Sequence, residues 1–220
     1  MFRDREDAAL RLAATLKDRD LHNPLVLAIP RGGVLIGAVL ARELDADLDV
    51  ILSRKLRAPG QPELAIGAIS ETGQMYLNQY AEEFTELLGD SLDEERNHQL
   101  AEIERRKSLF RSVRPQAPVA GRSVIVTDDG IATGSTMIAA LKILQAQNPF
   151  EVIVAVPVAS PDRLDQVARW CDEAICLYCP EGFQAISQFY DDFTQLDDEE
   201  VMDLLEEFAP RVDAAHTTAT

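Results

Sequence analysis

The sequence predicts an α/β fold, with a central, mainly parallel sheet flanked by helices and a small added cap. Three observations lead there. Short, largely apolar runs at Leu25–Ile29, Ser123–Thr127 and Glu151–Val158 have the length and composition of strands buried on both faces. A turn or break bearing Gly or Pro and then an apolar helical pattern follow each of them, the order that βαβ units produce. The 220 residues are 46% hydrophobic, which suffices for one sizeable core, and about 100–200 residues is an ordinary domain length.

The elements follow in order. Asp4 to Asp18 carries Ala9, Leu12, Ala13 and Leu16 at helical spacing, so it reads as an amphipathic helix. After Asn23-Pro24 comes the strand Leu25–Ile29; Pro30-Arg31-Gly32-Gly33 breaks it, and Val34 to Leu44 is a helix. Asp49 to Ser53 is a second strand, and Arg54 to Gln61 is a basic loop. Leu64–Ile69 and Gln74–Leu77 are strands around the turn Glu71-Thr72-Gly73. Asn78 can cap a helix to about Leu88, and Ser91 with Glu94 forms a capping box opening a long charged helix towards Phe110. Residues 60–115 are expected to be a lid or insertion within one domain of residues 1–210. The βα rhythm then resumes with the strand Ser123–Thr127, the turn Asp128–Gly134 and the helix Ser135–Gln147, stopped by Asn148-Pro149. Glu151–Val158, the helix Pro161–Cys171 and the strand Ala174–Tyr178 complete the sheet. A last helix spans Asp197–Phe208, and 211–220 is a flexible tail.

Composition excludes several function classes. With 38 acids against 21 Lys and Arg, the net charge of −17 argues against a nucleic-acid partner, which needs clustered cations. The acids at Asp4, Glu6 and Asp7 argue against a signal peptide. The longest clear apolar stretch, Val34–Ala41, ends at Arg42, far short of the roughly 20 residues that cross a bilayer. A soluble, cytoplasmic protein without membrane partners is therefore expected. Cys171, Cys176 and Cys179 lack the fourth ligand an iron–sulfur cluster requires and read as reduced thiols. The nine acids between Asp191 and Glu207 read as a solvated face.

Chemistry concentrates in Val124-Ile125-Val126-Thr127-Asp128-Asp129-Gly130-Ile131-Ala132-Thr133-Gly134-Ser135-Thr136. A buried strand ends in two acids, and a glycine-bearing turn leads into a helix that starts with hydroxyl residues. Helix N-terminal amides favour a phosphate, and the hydroxyls of Thr133, Ser135 and Thr136 can add hydrogen bonds. Two carboxylates can accept from a vicinal diol. Phosphate on one side and diol on the other describe a ribose 5-phosphate. A Walker A loop would need a Lys here, a dinucleotide fold its G-x-G-x-x-G, and neither is present. A phosphorelay receiver would not need the glycine and hydroxyl loop.

This segment resembles the phosphoribosyl-pyrophosphate signature of type I phosphoribosyltransferases, and the chain is similar over residues 20–205 to a group of bacterial members. The loop Arg54-Lys55-Leu56-Arg57, Pro-Glu-Leu-Ala-Ile-Gly-Ala and Phe-Tyr-Asp-Asp-Phe carry the wider likeness. The resemblance implies that Asp128 and Asp129 hold the ribose hydroxyls, and that Gly130, Ile131, Ala132, Thr133, Gly134, Ser135 and Thr136 wrap the 5′-phosphate. It implies that Pro30, Arg31, Gly32 and Gly33 bind pyrophosphate, with Arg54, Lys55 and Arg57 on a mobile catalytic loop. Mg²⁺ would bind mainly through the substrate, with Asp128 and Asp129 as its protein ligands. Thr127 and Gly130 depart from the family pattern, where aliphatic residues are commoner, and read as tuning of the turn. The implied partners are 5-phosphoribosyl-1-pyrophosphate and a nucleobase or nucleotide, with a homodimer as the candidate assembly. Phe183, Phe189 and Tyr190 form either a stacking wall for the base or part of the core, and no residue stands out as a general base. The rival reading is a non-catalytic sensor of the same ligand.

Overall fold

Leu25-Val26-Leu27-Ala28 has no polar side chain, and all four residues are buried in strand β1 (Leu25–Ala28). The computed structural model describes residues 1–58, 61–77, 81 and 85–209, without the side chains of 61–65, 76 and 85–91. Helix α1 (Arg5–Ala14) precedes β1, α2 (Gly32–Leu44) follows it, and β2 (Asp47–Val50) returns parallel to it. Strands β6 (Ser123–Thr127), β7 (Glu151–Val158) and β8 (Glu173–Tyr178) complete a five-stranded parallel sheet in the order β2-β1-β6-β7-β8. Helices α4 (Ser135–Gln145) and α5 (Pro161–Ala168) are its later crossovers, and α6 (Asp198–Glu206) closes the described chain. This is the expected α/β class.

Alternation along the strands divides the core in two. Val26, Ala28, Ile125 and Ile153 pack against α1, α2 and α6, while Leu27, Val124, Val126 and Val154 pack against α4 and α5. A parallel sheet covered on both faces is why its strands read as unbroken apolar runs. From β1 the chain winds outward to β2, and later returns to β6 on the other side of β1. That reversal opens a crevice beyond the ends of β1 and β6.

Between β2 and β6 lies a second, antiparallel sheet of β3 (Ser53–Ala58), β4 (Gln61–Ser70) and β5 (Met75–Leu77), with the long helix α3 (Thr85–Val113). Here three expectations need correction. The second parallel strand is Asp47–Val50, not Asp49–Ser53, because the buried Asp49 carboxylate is satisfied by Arg111 and by the Ala117 and Val50 amides. The basic segment Arg54–Arg57 lies in strand β3, not in a loop. Leu56 and Ala58 are buried there while Arg57 is exposed, an alternation hidden by three cations in four residues. Ser91 does not start a helix, since α3 runs through it from Thr85. Asn78, the other expected cap, and the tail 211–220 lie outside the described residues. Among the described residues no helix is long and apolar enough to cross a membrane.

Candidate active site

Ala28 and Thr127 are paired at the ends of β1 and β6, so the chain leaves both strands at the same level. Three adjoining cavities open there. One of about 150 Å³ is lined by Gly130–Gly134 together with Asp128, Thr136 and Ile186. A second, of about 370 Å³, has Asp128, Asp129, Pro30, Arg31 and Gly32 in its wall, with Arg5, Arg106 and Phe193. The third, about 260 Å³, lies against the hairpin, where Arg54, Lys55 and Arg57 face Gln99, Glu102 and Arg106 of α3. Asp128 joins the first two and Pro30 the last two. The structure thus gathers the sequence-predicted residues at one crevice. Gly33 and Ser135 sit beside the cavities rather than in their walls.

The two glycine loops are shaped by close approach. A Cβ on Gly32 would stand 1.9 Å from Asp129 Oδ2, and one on Gly33 would stand 2.9 Å from Asp128 Cα. A side chain on Gly33 would press on the Asp128 backbone, and one on Gly32 would displace the Asp129 carboxylate from its place beside Arg5. The Pro30–Arg31 peptide bond is cis. Gly134 caps α4 with φ +74°, a left-handed conformation in which β-branched residues are rarely found. It directs the chain so that the first amides of α4, which lack intrahelical partners, begin at the cavity.

The two departures in the signature now have physical reasons. Thr127 is buried, and its hydroxyl donates to the Ala155 carbonyl of β7 at 2.7 Å, so a polar side chain is satisfied inside the sheet. Gly130 leaves room for a neighbour: a Cβ there would meet Ile186 at 3.0 Å and Val158 at 2.8 Å. Ile186 fills that volume from the short 3-10 turn Ile186–Phe189.

The paired acids have different surroundings. Burial, reinforced by the Asp129 charge, holds Asp128 well above the usual carboxylate range. Burial also raises Asp129, but Arg5 opposes it. Arg5 donates to Asp129 Oδ2 from Nε at 3.1 Å and from Nη2 at 2.9 Å, and its guanidinium lies 3.9 Å over the Phe193 ring. The Tyr190 hydroxyl donates to the Asp129 carbonyl at 2.7 Å. Sequence reading missed Arg5, although a signal existed. Arg5 falls in register with Ala8, Ala9, Leu12 and Leu16, so an arginine sits on the buried stripe of α1.

Among the described residues no group of three or more His, Cys, Asp or Glu could hold a metal ion. Two neighbouring carboxylates do suit Mg²⁺, which takes one or two from the protein and the rest from substrate and water. Of the aromatic residues considered for a stacking wall, Tyr190 is buried between Phe2 and Phe193, while Phe183 and Phe189 stack on each other at 5.4 Å. Phe193 and Ile186 stand in the cavity walls instead. The acidic C-terminal segment is only partly a solvated face. Asp198 pairs with Arg105 at 3.1 Å and lies 3.9 Å from Arg31, and Glu207 pairs with Arg42.

Comparison with known proteins shows the family of the chain. The protein named "Putative phosphoribosyl transferase" in two strains of Mycobacterium tuberculosis, CDC 1551 / Oshkosh and H37Rv, is 41% identical over 206 residues, 94% of this chain. The chain spans only 46% of the length of those relatives. The crystal structure of TT1426 from Thermus thermophilus matches with a TM-score of 0.89 and 41% identity, covering 95% of this chain and 99% of that one. The family model described as "Phosphoribosyl transferase domain" matches residues 3–194, so the chain belongs to the phosphoribosyl transferase domain family.

Proposed function

We propose that this protein is a phosphoribosyltransferase that moves the 5-phosphoribosyl group from 5-phosphoribosyl-1-pyrophosphate to a nitrogen nucleophile, a nucleobase. The observation that carries the reading is the meeting of three features at one crevice: the Gly130–Thr136 loop, the Asp128–Asp129 pair and the Pro30–Gly33 loop. In this reading the start of α4 holds the 5′-phosphate and the two acids accept from the ribose hydroxyls. Arg31, Arg54 and Lys55 receive the pyrophosphate. The acceptor nitrogen forms its bond to ribose C1 as the C1–O bond breaks, and that electron pair leaves on pyrophosphate while the nitrogen's proton passes to solvent. Mg²⁺, when bound, would neutralise charge on pyrophosphate, with Asp128 and Asp129 as its protein contacts. Residues 1–210 act as one domain in which the hairpin and α3 form a cap. The −17 charge and the absence of a long apolar helix among the described residues support a cytoplasmic setting with small-molecule partners.

Pyrophosphate release from the sugar donor with Mg²⁺, screened against purines, pyrimidines and related nitrogen heterocycles, tests the reading. Turnover with one acceptor is the expected result. Tight donor binding with no release from any acceptor would replace the enzyme with a sensor, and failure to bind the donor would remove both.

A further inference from the structure

The long helix α3 carries an arginine that none of the motifs includes. Arg106 lines both the carboxylate cavity and the hairpin cavity, and it shares this double position with Pro30. It lies on the inward stripe of α3 with the buried residues Gln99, Ile103 and Phe110. Its Nε is buried with no hydrogen-bond partner, and it forms no ion pair among the described residues. Of the other cations around the two cavities, Arg5 pairs with Asp129 and Arg54 with Glu102 at 3.1 Å, Arg31 lies at the limit of reach of Asp198, and Lys55 and Arg57, like Arg106, form no ion pair among the described residues. Burial lowers the Arg106 pKa from its ordinary value, the cations Arg54, Arg105 and Arg31 add to the effect, and Asp198 opposes them.

A half-buried cation crowded by like charges is disfavoured until an anion completes it. Asp198 acts on Arg106 through its charge but forms no ion pair with it, which leaves the buried Nε free for an anionic ligand. We infer that Arg106 is a pyrophosphate-binding residue, so that α3 supplies the wall of the leaving-group site facing the Pro30–Gly33 loop. The inference rests on the reading above and adds a residue and an element to it. As the C1–O bond breaks and its electron pair moves onto pyrophosphate, a guanidinium already in place meets the growing charge with two or more donors.

Calorimetry with two probes separates this inference from the reading beneath it. Magnesium pyrophosphate reports on the leaving-group site, and ribose 5-phosphate reports on the cradle at Gly130–Thr136. Arg106→Gln should bind magnesium pyrophosphate about tenfold or more weakly, the usual effect of losing charge-assisted hydrogen bonds. It should bind ribose 5-phosphate as wild type does, which also shows that the variant is folded. Arg106→Lys should fall between the two, and Arg105→Gln, which alters an exposed neighbour on the same helix, should match wild type. Unchanged pyrophosphate affinity in Arg106→Gln overturns the role of Arg106 and leaves the site reading intact. Equal loss of both ligands in Arg106→Gln and Arg106→Lys makes the residue part of the scaffold and also overturns it. Wild-type protein that binds neither probe removes the site reading and this inference together.

Discussion

Asp128 is expected to act in opposite directions on stability and on the proposed donor binding. Its folded pKa lies well above the unfolded value because burial and Asp129 disfavour its charge. Between those two values the native state holds the extra proton, so stability falls as pH rises through the folded pKa. Below the unfolded value of about 3.9 both states are protonated and the effect vanishes. In metal-free buffer, Asp128→Asn should therefore melt higher than wild type at neutral pH, with the gain disappearing towards about pH 3. The same change should weaken Mg²⁺-dependent donor binding by about 1.5–3 kcal/mol, roughly 10- to 150-fold. Melting curves across pH and calorimetry check the two halves; equal donor affinity would remove Asp128 from the ribose site. Arg5 restrains Asp129 from rising further. Arg5→Met should move the acid-side loss of donor affinity to higher pH, and an unshifted profile would mean the ion pair is only structural. Gly134→Val would force φ +74° on a β-branched residue, which costs about 1–3 kcal/mol, and should abolish ribose 5-phosphate binding. Thr133→Ala, which keeps the loop amides, should be milder.

Arg111 ties the hairpin and α3 to the parallel sheet, and Arg114 just beyond α3 adds a hydrogen bond to the Leu48 carbonyl of β2. Arg111 donates to both carboxylate oxygens of Glu71, at 2.9 and 2.6 Å, to Asp49 at 2.5 Å and to the Val50 carbonyl at 3.1 Å. Asp49 is 1% exposed, so removing its partner strands a buried carboxylate. Arg111→Met should destabilise the protein by about 3–5 kcal/mol in chemical denaturation. A loss below about 1 kcal/mol would show that these groups rehydrate. Since α3 also carries Arg106 and Glu102, this lock holds one wall of the crevice in place. At the other wall, Lys55 on β3 has no ion pair among the described residues. Lys55→Ala should retain donor binding within about tenfold and lose on the order of 100-fold in turnover, as expected of a contact made mainly to the departing group. Equal loss in affinity and turnover would instead assign Lys55 to ground-state binding.

The net charge of the chain should repel the proposed donor while the crevice cations should attract it. The net charge of −17 acts over the roughly 30 Å Debye length of 0.01 M salt, whereas at 0.1 M the range falls to about 10 Å and the crevice cations dominate. Donor association should thus speed up as salt rises across that low range, the reverse of a nucleic-acid binder. Stopped-flow rates that fall throughout would show that the local field already wins at the lowest salt. Four of the five parallel strands, the signature loop and the paired acids could be read from sequence because each rests on local order: apolar runs, glycines at fixed places, hydroxyls at a helix start. The hairpin strand Ser53–Ala58 and the unbroken helix Thr85–Val113 could not, because cation density and a capping-box pattern imitate a loop and a helix start. Arg5 and Arg106 stood in plain sight as arginines on apolar stripes. Only the folded chain shows that one meets Asp129, 124 residues away, and that the other stands between two cavities. Periodicity records which face of an element is buried, but the partner on that face is chosen by how distant elements pack.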